Sequence, residues 1–112
     1  MGAPEGSFPI SNPPPHRPVA PRGELPAGSV AYRTIGPFGA QSLPAGLRAE
    51  HRLKQGTWGV LELSEGTLRF VWDDEQGGAD ELVAPAKFIV PPEVPHHVEG
   101  EGPFTLTIAF HR

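Results

Sequence analysis

The segment GVLELSEGTLRFVW, Gly59 to Trp72, alternates apolar and polar side chains on both sides of Glu65-Gly66, and the phase of the alternation reverses at that pair. A period of two belongs to a strand with one buried face, because successive side chains point to opposite sides of the backbone. A phase reversal at a Glu-Gly pair is what a tight turn produces. The pattern therefore predicts an antiparallel hairpin in which Leu61 faces Phe70, Leu63 faces Leu68 and Ser64 faces Thr67. On the opposite face Glu62 meets Arg69 as a cross-strand ion pair and Val60 meets Val71. Leu61, Leu63, Leu68 and Phe70 are expected in the core, Glu62 and Arg69 in solvent.

The rest of the chain from Val30 onward has the same texture of short apolar runs punctuated by Gly and Pro. FTLTIAF (Phe104 to Phe110) alternates cleanly, with Leu106, Ile108 and Phe110 on one side and Thr105, Thr107 and Ala109 on the other. LVAPAKFIVP (Leu82 to Pro91) predicts one or two strands, with Pro85 at an edge, a turn or a bulge, since proline cannot donate to a strand ladder. DDEQGGADE (Asp73 to Glu81) reads as a solvated connection; its five carboxylates lack the alternating oxygen frame of a calcium loop. SLPAGLRAEHRL (Ser42 to Leu53) comes nearest to a helix, but Pro44 and Gly46 interrupt it, and Ala49 to Leu53 reads equally well as a strand. Several strands without an amphipathic helix predict an all-β sandwich or small antiparallel barrel.

Residues 1–29 differ in kind. Eight of the fifteen prolines fall within the first 26 residues, and no apolar period persists there. Such a segment cannot bury enough surface to offset its ordering entropy, so residues 1–29 are expected to be a disordered Pro-rich tail and residues 30–112 the folded domain. NPPPHRP (Asn12 to Pro18), with His16, reads as a leader or as a polyproline ligand for an aromatic groove. The chain carries 9 basic against 13 acidic residues, which excludes the basic field that nucleic acid demands. It has no cysteine, so disulfide and thiolate chemistry are excluded, and this suits a reducing cytoplasm. No apolar stretch approaches the ~18 residues of a membrane span, and no signal-peptide core is present. The expectation is a soluble, cytoplasmic protein.

Histidine is scarce, with five in the chain, yet two stand side by side in FIVPPEVPHHVEGEG (Phe88 to Gly102). Strand parity sorts them. His96 shares a face with Val98 and points inward; His97 shares a face with Glu99 and points out. The same parity places His51 inward with Leu53, with Glu50 and Arg52 on the outer face. His51 and His96 can thus converge on one lumen, while Pro91, Pro92 and Pro95 stiffen the segment that carries His96. His111, beside the terminal Arg112, is read as ordinary surface chemistry. Two inward imidazoles are a candidate site for a metal or an anion, or a pair of structural histidines with satisfied hydrogen bonds.

HRLKQGTWG, the alternating pair that follows it, FIVPPEVPHHVE and the terminal TLTIAF together resemble the TehB/YeaR-like family of cupin-like domains, the module that precedes the methyltransferase in some tellurite-resistance TehB proteins. The resemblance runs from about Val30 to Phe110 and rests on His51, Lys54, Gly56, Trp58, His96 and Glu99. It implies a cupin-like jelly-roll β-barrel, here standing alone. Against the broader cupin pattern, Leu53 stands where a second histidine is usual, Trp58 or Gly59 where a glutamate is usual, and Glu93 where Pro-x-Gly-x-x-His has its glycine. What remains of the metal set is His51 and His96, with an unidentified divalent ion as the implied cofactor; Lys54, Trp58 and Glu93 are the candidate ligand-binding residues around them.

The function expected is a small-ligand binding domain holding a divalent metal or a compact oxyanion in its lumen, in a tellurite or oxyanion stress setting. Two alternatives stand beside it. One is a metal-dependent cupin enzyme with His51 and His96 as ligands, ranked behind because no carboxylate base is placed inward. The other is an interaction module acting through the Pro-rich tail. The expected partner is a small molecule or ion, with self-association left open. Methyl transfer is excluded, since the chain has neither a Gly-rich nucleotide loop nor βαβ texture.

Overall fold

The computed structural model of the protein describes residues 22–112; residues 1–21, most of the segment expected to be a tail, lie outside the described residues. Six strands and one helical turn follow in the order β1 (Ala31–Phe38), α1 (Ala45–Arg48), β2 (Trp58–Trp72), β3 (Ala79–Val83), β4 (Ala86–Val90), β5 (His96–Glu99) and β6 (Phe104–His111). All strand pairs are antiparallel. The all-β, antiparallel expectation therefore holds.

The hairpin at Glu65-Gly66 does not form. Gly59 to Trp72 belongs to one continuous strand, β2, which changes phase in its middle instead of folding back. Its register against β6 slips between Leu63 and Glu65, and Gly66 adopts φ +80°. The extra residue flips the parity: Leu61 and Leu63 are buried before the slip, Leu68, Phe70 and Trp72 after it. A turn and a bulge leave the same alternation in sequence, so the burial pattern is as expected although the topology is not. The two halves do not pair with each other because each has two other neighbours. Gly59 to Leu63 lies between β4 and β6, and Arg69 to Val71 between β3 and β5. Glu62 accordingly meets Lys87 at 3.8 Å, and Arg69 meets Glu81 and Glu99 at 3.7 and 3.8 Å, in place of the expected Glu62–Arg69 pair.

The phase change makes β2 the spine of two sheets. One runs β1, β6, the first half of β2, then β4; the other has β3 and β5 flanking the second half. The two face each other. Phe70 lies 4.7 Å from Phe88, ring centroid to centroid, and Trp72 5.9 Å from the same ring. Leu63, Leu106 and Phe70 are wholly buried at the centre of this core. Each such side chain contributes about 1.5–3 kcal/mol by leaving water, which is what holds the sheets together. Among the described strands no pairing closes the sheets into a hydrogen-bonded ring.

The acidic segment Asp73 to Glu81 supplies the β2–β3 connection as expected, but its last three residues belong to β3 and pair with β2. Leu82 to Pro91 becomes the end of β3 and all of β4, with Pro85 in the link between them. Arg22, on the tail side of the boundary read from composition, is docked on the domain: its guanidinium donates to Asp74 Oδ2 at 2.6 Å and to Gly77 O at 2.8 Å, and lies 4.2 Å over the Trp72 ring. The single turn of α1 is held to the sheets by Arg48, which donates to Gly100 O at 2.9 Å and to Ala40 O at 2.8 Å.

Candidate functional site

His51 and His96 meet. Outside the named strands, the backbone of His51 pairs antiparallel with that of His96, each N–H donating to the other's carbonyl at 2.9 Å. Residues directly opposite in an antiparallel pair project side chains to the same face, so one backbone bridge places both imidazoles together. Their ring centroids are 4.3 Å apart, edge to face. The His96 ring also stacks on Phe70 at 4.9 Å and is 3 % exposed. Its segment is pinned on both sides of Val94, where the Glu93 N–H donates to Leu53 O at 2.8 Å and the Asp73 N–H donates to Pro95 O at 2.9 Å.

Both imidazoles are oriented alike. His51 Nδ1 lies 2.9 Å from Ala49 O, and His96 Nδ1 lies 2.8 Å from Val94 O. A carbonyl oxygen accepts only, so Nδ1 carries the hydrogen in each uncharged ring and the distal Nε2 is the bare nitrogen. Burial pushes His96 down to about 4, with the neighbouring His51 acting in the same direction against the raising effect of the Val94 carbonyl. The His96 ring is uncharged at neutral pH.

The pair forms part of the wall of a cavity of about 150 Å³ between the two sheets. Leu61, Phe70, Val90, Leu106 and Ile108 line it from the strands, with Leu47, from α1, and Leu53 closing one side. Gly59 also lines it: a Cβ there would stand 3.1 Å from Leu53 Cδ1, so any larger residue would intrude on the wall.

The remaining expected site residues are not brought to this cavity. Trp58 precedes Gly59 on β2 and so projects to the outer face, where its ring packs on Gly23. Lys54 is exposed on a turn closed by the Thr57 N–H donating to Lys54 O. Glu93 is exposed at φ +68°, the only non-glycine residue with positive φ among those described; it occupies the position where the cupin motif has glycine. As a metal centre the site is short of donors. Two imidazoles come together, and among the described residues no group of three or more His, Cys, Asp or Glu side chains could hold a metal ion. A divalent ion takes three or more protein ligands, so this donor set does not fit one.

His97 points outward, as parity requires, but it is not a free surface histidine. Its Nδ1 lies 2.7 Å from Asp73 Oδ2 and its Nε2 lies 2.8 Å from Glu99 Oε2. These two carboxylates raise its pKa above the ordinary 6.5. Glu99 two residues along the same strand was a legible neighbour; Asp73 is 24 residues distant and only the fold supplies it.

Two facing antiparallel sheets that enclose an apolar cavity with a pair of inward imidazoles define a class of small β domain. The chain belongs to the TehB-like domain family, whose model matches residues 33–108. It is similar to TehB from Haemophilus influenzae, with a TM-score of 0.68 at 25% identity over 74% of this chain and 31% of that one. It thus spans about a third of that protein's length. A protein from E. coli strain K12 solved by a structural genomics consortium has a TM-score of 0.69 at 21% identity, over 80% of this chain and 95% of that one, a likeness of fold. No curated protein sequence matches the chain. No helix among the described residues is long and apolar enough to cross a membrane.

Proposed function

We propose that this chain is a binding module of cupin type that takes a small molecule into the cavity between its sheets, against the His51–His96 pair. The observation that carries the reading is the pairing itself: two imidazoles with their Nδ1 atoms tied to backbone carbonyls, set in the wall of an otherwise apolar cavity of about 150 Å³. Each ring retains a nitrogen, Nε2, that the backbone does not use and that is left for a ligand. A cytoplasmic stress or detoxification setting, implied by the family resemblance, belongs to the same proposal. The enzyme alternative finds less support, since among the described residues no carboxylate lines the cavity to serve as a base.

The test is a binding screen by ligand-observed NMR, spanning small neutral molecules, oxyanions and divalent ions, on the untagged protein and on Gly59→Val, which fills the cavity. Any ligand of this site should be lost in Gly59→Val and retained in His97→Ala, whose ring lies on the outer face. A ligand indifferent to Gly59→Val would place binding elsewhere and refute the proposal.

A further inference from the structure

We infer that the cavity selects a neutral, benzene-sized molecule bearing one hydrogen-bond donor, a phenol being the simplest member of that class. The inference rests on the binding-module reading above and names the chemistry of its ligand.

Size comes first. A void of about 150 Å³ lined by Leu, Ile and Phe is known in another protein to stay dry and to admit benzene, and the void here has that volume and a comparable wall: Leu47, Leu53, Leu61, Val90, Ile108 and Phe110.

Polarity comes next. Among the described residues, the imidazoles of His51 and His96 are the only polar side chains on that wall. Because Nδ1 of each ring lies against a backbone carbonyl, at 2.9 and 2.8 Å, the nitrogen that an uncharged ring leaves for an occupant is Nε2, an acceptor. Two acceptors call for a donor. A carboxylate or fully ionised oxyanion brings only acceptors to the site, and among the described residues no Lys or Arg lines the cavity to neutralise it. A metal ion would find two ligands and an apolar wall. An O–H on an aromatic ring satisfies one imidazole and buries its ring against Phe70 and Phe110.

The experiment titrates phenol, toluene, benzoate, zinc chloride and sodium tellurite into the full-length, untagged protein by calorimetry. It is repeated on His51→Phe, which removes one acceptor while keeping an aromatic ring, and on Gly59→Val. Phenol should bind at one site per chain, about tenfold more tightly than toluene, the worth of one buried hydrogen bond. It should fall to the toluene level in His51→Phe and be lost in Gly59→Val; benzoate should not bind. The comparison of phenol with toluene needs no variant and so does not depend on His51→Phe folding. Equal binding of phenol and toluene would overturn the donor rule. Binding of zinc, tellurite or benzoate but not phenol, abolished by Gly59→Val, would overturn the inference and leave the binding module standing. Failure of every probe, or binding that Gly59→Val leaves intact, would overturn both.

Discussion

Gly66 decides whether β2 is a spine or a hairpin, and replacing it with alanine measures the difference. In a hairpin its side chain would stand at the tip in solvent, and Gly66→Ala would cost only the strain of a non-glycine residue at positive φ. In the observed fold β6 runs alongside: a Cβ on Gly66 would collide with Pro103 O and stand 2.8 Å from Phe104 Cα. The Gly66 carbonyl also accepts from the Ala84 N–H at 2.9 Å, which ties the β3–β4 link to this point. Gly56 is the internal control. It has φ +82° but nothing within 4 Å of its would-be Cβ. Gly56→Ala should therefore cost the conformational strain alone, about 1–2 kcal/mol. Gly66→Ala adds the loss of one or two ladder bonds as β6 is pushed away, for a total of about 3–5 kcal/mol. With a urea m-value of about 1.5 kcal/mol/M, the midpoints should fall by about 1 M for Gly56→Ala and by about 2–3 M for Gly66→Ala. Equal shifts for the two variants would mean that β6 does not pack against Gly66, and the continuous-strand account of β2 would fail.

Three further outcomes are expected. Leu63→Ala should cost about 2–5 kcal/mol as a core cavity, and Glu62→Ala at most about 1 kcal/mol as half of an exposed pair with Lys87; similar urea midpoints for both would contradict the parity on which the core rests. Glu93→Gly should raise stability by up to about 1 kcal/mol, because glycine relieves the left-handed strain at φ +68°, and a lower midpoint would show that the glutamate side chain contributes more than its strain costs. Stability should respond to pH through two neighbouring histidines with opposite signs. His96, lowered to about 4, contributes stability that is complete above pH 6.5 and disappears as pH falls from there toward 4, of order 3 kcal/mol. His97, raised by Asp73 and Glu99, contributes stability that is complete below 6.5 and disappears as pH rises through its raised pKa. Urea midpoints from pH 4 to 8 should thus lose their acid-side fall in His96→Phe and their alkaline-side fall in His97→Gln; a His96→Phe profile identical to wild type would remove the buried, uncharged His96 from the account.

Which residues are inside was legible in the sequence, because strand parity is a local property. Leu61, Leu63, Leu68, Phe70, His96, Val98, Leu106 and Ile108 all take the side that alternation assigns them. So does His97, on the outer face. Which strand lies beside which was not legible. The phase reversal at Glu65-Gly66 is common to a hairpin and to a bulged strand, and the choice was made by β6, β4, β3 and β5, whose pairings satisfy both halves of β2 at once. The same distinction runs through the site. Parity pointed His51 and His96 inward, but their 4.3 Å approach comes from a backbone bridge between residues 45 positions apart. Lys54, Trp58 and Glu93, close to the histidines in sequence, lie on a turn or on the outer side, since a shift of one residue along a strand reverses the face. Leu47 and Gly59 line the cavity with no signal beyond hydrophobicity or smallness, whereas Phe110 lines it on the side that alternation shares with Leu106 and Ile108. Asp73 on His97 and Arg22 on Trp72 are likewise partners across long stretches of chain. Alternation specifies a face for each residue. Only the closing of distant segments on one another specifies what that face meets.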